Sequence, residues 1–173
     1  DQWRRAEALK PVTGHIIRWS DPNARSTAFD ELFTLLSSFT ESPSLKDASR
    51  NLSRQLGHKD QHRMLVVVTN LEEGAHVAVR QVLRSMITSA TSSSDLDRIT
   101  EHLCSLDADL ATRSLDVLCG LAKKAGLDTT RAFAAACEKA PDASLETART
   151  LCSHTSSLPD LLALESALIS DEG

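Results

Sequence analysis

The sequence predicts an all-α protein, a helical bundle that continues into a short irregular α-solenoid. Apolar residues recur at steps of three and four along most of the chain, which is the spacing of one helix face. No stretch alternates apolar and polar residues about a hairpin turn, as antiparallel strands would. Capping residues and prolines mark helix starts and ends. Together these patterns predict roughly eight to ten helices.

The first clear helix start is at Ser20, Asp21 and Pro22, where an acceptor side chain precedes a proline. Proline is favoured there because its missing N–H would have been unpaired in any case. We expect this helix to end at Ser42 and Pro43. Its apolar face consists of Ala24, Ala28, Leu32, Leu35, Leu36 and Phe39.

A second helix is expected to begin at Ser44 and to end at Gly57. Ser44 and Asp47 have the spacing of a capping box, and glycine commonly follows the last helical turn. Its apolar face consists of Leu45, Ala48, Leu52 and Leu56.

Residues 64–69 are the one stretch in which β-branched side chains dominate. A strand here would have no partner, so we expect a buried helix, with a lone strand as the alternative. Another helical face follows, formed by Ala75, Val79, Val82, Leu83 and Met86. The polar run from Ser89 to Ser94 predicts a linker.

The second half contains a pattern that recurs after 33 residues. Each unit predicts two helices, 96–104 with 110–124 and 130–139 with 145–154, and a last helix is expected at 159–169. Either this is a true repeat or the helical periodicity produces the matches by coincidence. The offset aligns Asp95 with Asp128, Arg98 with Arg131, Cys104 with Cys137, Asp109 with Asp142, Leu118 with Leu151 and Cys119 with Cys152.

Charge and composition restrict the function. We predict an N-terminal bundle at 1–90 and helix-pair repeats at 91–173, or one continuous domain. The first part has 12 Lys and Arg against 10 Asp and Glu, and the second has 7 against 14. This balance argues against nucleic acid, which requires a concentrated positive surface. No apolar run approaches the roughly 20 residues of a membrane span.

Residues 77–83 and 111–118 carry a small residue, an arginine two positions later and spaced aliphatic residues. This pattern resembles the inner helices of HEAT and armadillo repeats. The resemblance implies a curved stack of helix pairs that binds another protein along one face, with Arg80 and Arg113 as candidate binding residues. Residues 118–126 are similar to pentatricopeptide repeats, but the aromatic and basic residues that those repeats use on RNA are missing.

Metal-binding and redox motifs are not found in the sequence. His58 and His62 are four residues apart, but Lys59 occupies the place of the glutamate that a zinc protease needs. The cysteines form no CxxC pair, so we expect buried thiols, a reducing compartment and neither metal nor cofactor. The chain begins at Asp1, which suggests a fragment of a longer protein. The four cysteines are Cys104, Cys119, Cys137 and Cys152.

Arg25 is the one candidate catalytic residue. It follows a helix start and resembles the arginine finger of the GTPase-activating domains of bacterial toxins, which are small helical bundles. Pro22 stands where that motif has glycine, and the glycine-rich second loop is not found. Nucleophile elbows and phosphate-binding loops are also missing from the sequence, so an enzyme is the less favoured interpretation.

Five of the six aromatic residues lie in the first 39 positions. They form either the core of the N-terminal bundle or, in part, an exposed patch that anchors a partner. The best candidates for such a patch are Ile16, Ile17 and Trp19. The five aromatic residues are Trp3, Trp19, Phe29, Phe33 and Phe39.

The sequence therefore predicts a protein–protein interaction domain or scaffold. One alternative is a bacterial secreted effector that acts on a host protein with Arg25 as its finger. The other is RNA binding by helical repeats, which the charge disfavours. The expected location is the cytoplasm, of the producing cell or of a host. Acidic residues between 95 and 116 either favour a basic partner or serve only as helix caps.

Overall fold

The structure, a computed structural model, describes residues 1–89 and 93–129, together with Leu162. The chain divides into two compact units, Asp1–Ser89 and Ala90–Gly173. The regular elements of the described residues are all helical, which confirms the all-α prediction. The first unit contains α1 (Gln2–Ile16), α2 (Pro22–Thr34), a 3-10 turn (Leu35–Ser38), α3 (Ser42–Ser53), α4 (His58–Thr69) and α5 (Ala75–Ser89); the second contains α6 (Ser93–Cys104) and α7 (Ala108–Lys124).

The five α-helices of the first unit form two layers. Helix α3 lies between α1 and α5, so these three helices are neighbours in one layer. Helices α2 and α4 contact each other in the second layer, where α2 also contacts α1 and α4 packs against α5. Successive helices therefore alternate between the layers.

Helix α3 occupies the middle of its layer because its buried side chains are small. Small residues allow neighbouring helix axes to approach closely. Leu45 and Leu52 complete the buried face. The small buried residues are Ser44, Ala48, Ser49 and Ser53.

Side-chain hydrogen bonds join α3 to both neighbours. The Asn51 amide donates to the Ala6 carbonyl at 3.0 Å, and the Gln55 amide donates to the Lys10 carbonyl at 2.8 Å, both in α1. On the other side, the hydroxyls of Ser53 and Ser85 are 2.8 Å apart, which links α3 to α5. These bonds identify the sides of α3 that face α1 and α5.

Helix α1 has no counterpart in the sequence-based prediction. Its buried residues, Ala6, Leu9, Thr13 and Ile16, have the spacing of a helix face. Pro11 lies inside the helix, where proline is normally disfavoured. The Asp1 side chain accepts a hydrogen bond from the backbone N–H of Arg4 and caps the helix.

The stretch 64–69 belongs to α4, so the prediction of a buried helix is correct. Met64, Leu65 and Val68 are fully enclosed in the core. The phenyl rings of Phe29 and Phe33 in α2 are stacked with their centroids 6.2 Å apart, and both residues are buried.

Three local predictions are wrong. The helix expected to end at Ser42 and Pro43 ends at Thr34 and is followed by the 3-10 turn, and Leu35 of its predicted apolar face is 40% exposed. The capping box at Ser44 is not formed, because α3 begins at Ser42 and Pro43 lies in its first turn, where no N–H is needed. The Ser44 hydroxyl donates instead to the Glu41 carboxylate. Of the linker predicted from Ser89 to Ser94, Ser89 belongs to α5 and the residues from Ser93 onward belong to α6, while 90–92 lie outside the described residues.

In the second unit, α6 and α7 pack against each other as predicted from their apolar faces. The Asp107 side chain caps α7 by accepting a hydrogen bond from the N–H of Leu110. The helices expected at 130–139, 145–154 and 159–169, and with them the second copy of the repeat, lie outside the described residues except for Leu162, which is helical and exposed. No helix within 1–89 or 93–129 is long and apolar enough to cross a membrane.

Replacing Ala48 by leucine should destabilise the first unit. Ala48 is completely buried, and adding three carbon atoms to a close-packed helix contact costs about 1–3 kcal/mol. Urea unfolding followed by helical circular dichroism measures the loss. Ala8→Leu, on an exposed position of α1, is the control, and equal losses for the two variants would contradict the packing described for α3.

The second unit should become less stable below about pH 6.5 because of His102. Burial lowers the pKa of His102 from the ordinary value of 6.5, and its Nε2 atom is enclosed with no hydrogen-bond partner among the described residues. The unfolded chain therefore takes up this proton more readily than the folded chain, and unfolding is favoured as the pH falls through 6.5.

Melting temperatures at about pH 7.5 and about pH 5.5 test this. The decrease between the two pH values should be smaller for His102→Gln than for the parent chain. His76→Gln, at an exposed position of α5, should keep the parent's decrease. A decrease that His102→Gln leaves unchanged would show that His102 does not contribute.

Candidate protein-binding surface

Positive charge in the first unit is concentrated on one of its two layers. Residues 1–18, 41–54 and 75–89, which contain α1, α3 and α5 with their capping residues, have nine Lys and Arg against four Asp and Glu. Residues 22–34 and 58–69, which form α2 and α4, have three of each sign. The near-neutral first half therefore contains a strongly basic layer.

On α3 the cations occupy the side that no neighbouring helix covers. Asn51 and Gln55 face α1, and Ser53 faces α5. Successive residues of an α-helix are rotated by about 100° around its axis. This rotation places Arg50 and Arg54 between the side of α3 that faces α1 and the side that faces α5, on the exposed surface of the helix. The Arg50 guanidinium is 2.8 Å from the Asp47 carboxylate, whereas Arg54 makes no ion pair among the described residues.

The two neighbouring helices carry cations at a similar helical spacing. Lys10 and Arg18 lie on one exposed stripe along α1 and the turn that follows it, and Arg80 and Arg84 are four residues apart on α5. Because α3 lies between α1 and α5, the three stripes are adjacent, and we call them the basic face. The basic face consists of Lys10, Arg18, Lys46, Arg50, Arg54, Arg80 and Arg84.

A groove lies between α1 and the residues that follow α3, and we call it the α1 groove. It has a volume of about 480 Å³ and is lined by Lys10, Pro11, Gly14, His15, Arg18 and Gln55. Gly14 permits the close approach of the chain, since a Cβ atom there would be 3.0 Å from the Gln55 Oε1 atom. The α1 groove therefore lies between the cations of α1 and the residues at the end of α3.

Apolar side chains are exposed beside this groove. Trp19 is 38% exposed and Ile17 is 37% exposed, whereas Ile16 is only 5% exposed and belongs to the core. The imidazole of His15 meets the indole of Trp19 edge-on, with the centroids 6.2 Å apart. Trp3 at the other end of α1 is 57% exposed. Two of the three predicted patch residues, Ile17 and Trp19, are therefore accessible.

The candidate arginines lie in different parts of the structure. Arg80 is exposed on α5 and belongs to the basic face. Arg113 lies in the second unit, where its Nε atom is 3.1 Å from the Asp109 carboxylate. Arg25 is half-buried in the first turn of α2, and its guanidinium makes no hydrogen bond or ion pair with the described residues.

The two histidines of α4 are close together, as their spacing requires. The rings of His58 and His62 meet edge-on with their centroids 5.2 Å apart. Both residues are half-buried rather than fully solvated. Residues 1–89 and 93–129 contain no group of three or more potential metal ligands. Cys119 is buried and Cys104 is half-buried, while Cys137 and Cys152 lie outside the described residues.

The net charges of the two halves of the chain do not reveal the basic face, because its cations are averaged with the carboxylates of the other layer. The signal is present at helical spacing: Lys46, Arg50 and Arg54 are separated by four residues each, as are Arg80 and Arg84. Recognising it requires knowing that alternate helices are neighbours, and that is a property of the tertiary fold.

The indole of Trp19 should report a positive environment. In Trp3→Phe, Trp19 is the single remaining tryptophan, and, relative to the quenching of free N-acetyltryptophanamide, iodide should quench its fluorescence more strongly than caesium because Arg18 lies beside it. Arg18→Glu should lower the iodide-to-caesium ratio of quenching constants. Stronger quenching by caesium in the parent background would contradict the basic surroundings.

Neither a protein-family model, nor a curated protein, nor a solved structure matches this sequence. Its function is therefore inferred from the chemistry of the described side chains. Among these, the basic face and the exposed apolar residues beside α1 are the features that the packing of the helices does not explain.

Proposed function

We propose that this chain is a protein-binding domain that holds its partner on the basic face. We also propose that it is a short helical solenoid of the kind that HEAT and armadillo repeats form. The observation that carries the proposal is the segregation of charge, nine cationic residues against four acidic ones on the segments of α1, α3 and α5 with their capping residues. Arg5 lies over the ring of Phe39, and Arg4 and Arg50 pair with carboxylates. The other six cationic side chains make no hydrogen bond or ion pair with the described residues, so folding of the first unit does not need them.

The layered arrangement of the first unit supports the proposal. In a solenoid each helix contacts its neighbours along the stack, and one layer presents a continuous side to the solvent. The contacts of α1 with α3, of α3 with α5 and of α2 with α4 have this order. A surface of three adjacent helices is broad enough to bind an extended part of another protein.

Exposed apolar residues favour a protein as the partner. Binding energy between proteins is concentrated in a few residues, among which tryptophan and arginine are enriched. Trp19 and Ile17 lie at the end of α1 beside Arg18, so both residue types are available in one place. A surface that only attracted phosphates would not need these apolar side chains.

The remaining charges are also less suited to nucleic acid. Glu7 and Asp47 interrupt the cations of α1 and α3, and residues 91–173 have a net charge of −7. Both would repel a phosphate backbone, which binds chiefly through uninterrupted positive surface. A protein partner can avoid or pair with individual carboxylates.

Charge reversal on the basic face should abolish retention of the natural partner. We expect a chain with Arg54→Glu and Arg84→Glu, immobilised on a resin, to retain at least about tenfold less of the partner from a cell extract, because opposite charges steer and hold the complex. Lys59→Glu, an exposed cation on α4, should retain it fully.

The three chains are compared by quantitative mass spectrometry, after their melting temperatures have been shown to agree. Only proteins that the parent and Lys59→Glu retain and the double variant loses count as partners. If the double variant retains every protein that the parent retains, the basic face is not the binding surface.

A further inference from the structure

We propose that the α1 groove binds an acidic, amphipathic segment of the partner protein, in which two carboxylates flank an apolar side chain. This inference rests on the proposed protein-binding function and specifies the chemistry of the partner. Three observations support the inference: the two cations of the α1 groove, the apolar surface between these cations, and the exposed apolar residues at the end of the groove.

The cations of the groove have no counter-ion within the chain as described. Lys10 and Arg18 are exposed, and neither side chain makes an ion pair or hydrogen bond with the described residues. Six residues of α1, or about 9 Å of helical rise, separate Lys10 from the end of the helix at Ile16, and Arg18 lies two residues further on in the turn. A ligand that neutralises both cations therefore carries two anionic groups at a similar separation.

The surface between the two cations is mostly apolar. Pro11 and Gly14 contribute no polar side-chain atom, and the methylene groups of Lys10 and Arg18 add apolar area. The Nε2 atom of Gln55 donates hydrogen bonds to the carbonyls of Lys10 and Asn51, which leaves the Oε1 atom beside Gly14 as the polar atom of this side chain that faces the groove. An apolar side chain fits this surface better than a phosphate or a sugar does.

The apolar residues continue past the end of the helix. Ile17 and Trp19 are exposed next to Arg18, and the His15 ring holds the Trp19 indole edge-on. A peptide that follows the groove would place further apolar contacts there. On a helical peptide, carboxylates two turns apart with leucine between them match the separation of Lys10 and Arg18.

Fluorescence anisotropy with designed peptides tests the proposal on the full chain. The probe is a fluorescein-labelled helical peptide with glutamates two turns apart and leucine between them. We expect binding in the micromolar range that Lys10→Glu and Arg18→Glu together weaken at least about tenfold. Lys59→Glu should leave the affinity unchanged.

Two matched probes define the chemistry. A peptide with lysine in place of glutamate should bind the Lys10→Glu, Arg18→Glu chain better than it binds the parent, since the charges are then exchanged. A peptide with serine in place of leucine should bind the parent more weakly than the leucine peptide. Equal affinity for the serine peptide would overturn the amphipathic requirement.

Three results would overturn the proposal: no binding of the acidic peptide, binding that the double variant leaves intact, or tighter binding of a single-stranded RNA of equal length. The extract experiment separates this failure from failure of the proposed function. If Arg54→Glu with Arg84→Glu abolishes partner retention while Lys10→Glu with Arg18→Glu does not, the basic face binds a protein and the α1 groove is not where it binds.

Discussion

The close packing of α3 between α1 and α5 is the constraint on which the rest of the first unit depends. Alanine and serine on the buried face of α3 let two helices approach it at once, and Asn51, Gln55 and Ser53 fix the sides from which they approach. With both sides and the core face occupied, one exposed side of α3 remains. Arg50 and Arg54 lie on that side, so the same packing that builds the layer also determines where its charge is displayed.

The spacing of apolar residues, with the capping residues and prolines at helix ends, was sufficient to predict the all-α fold class. Helix α4 illustrates this. Residues 64–69 are rich in β-branched side chains, but a strand needs a partner, and the sequence offers none. Helix α1 could not be predicted in the same way, because its interior contains Pro11 and Gly14, two residues that disfavour a helix. The predicted capping box at Ser44 is not formed because α3 begins earlier, at Ser42. Pro43 lies in the first turn of the helix, where its missing N–H leaves no hydrogen bond unmade.

The candidate surface was predictable only in part. Trp19 and Ile17 could be singled out because apolar residues between polar ones at a helix end have few neighbours to cover them. Ile16 differs from them by its place on the buried stripe of α1, which could not be known until that helix was recognised. The basic face combines residues from three helices that are far apart in the sequence, so the sum of charges along the chain conceals it.

Proline inside α1 affects how the two halves of this helix are held together. Pro11 has no N–H, so the carbonyl of Glu7 lacks the donor that it would have in an uninterrupted helix. The two halves of α1 are therefore coupled by one backbone bond fewer at the level of the α1 groove. Both halves are nevertheless held by the core, the first through Ala6 and Leu9 and the second through Thr13 and Ile16, so the exposed residues of the α1 groove are presented from a helix that is anchored on either side of the proline.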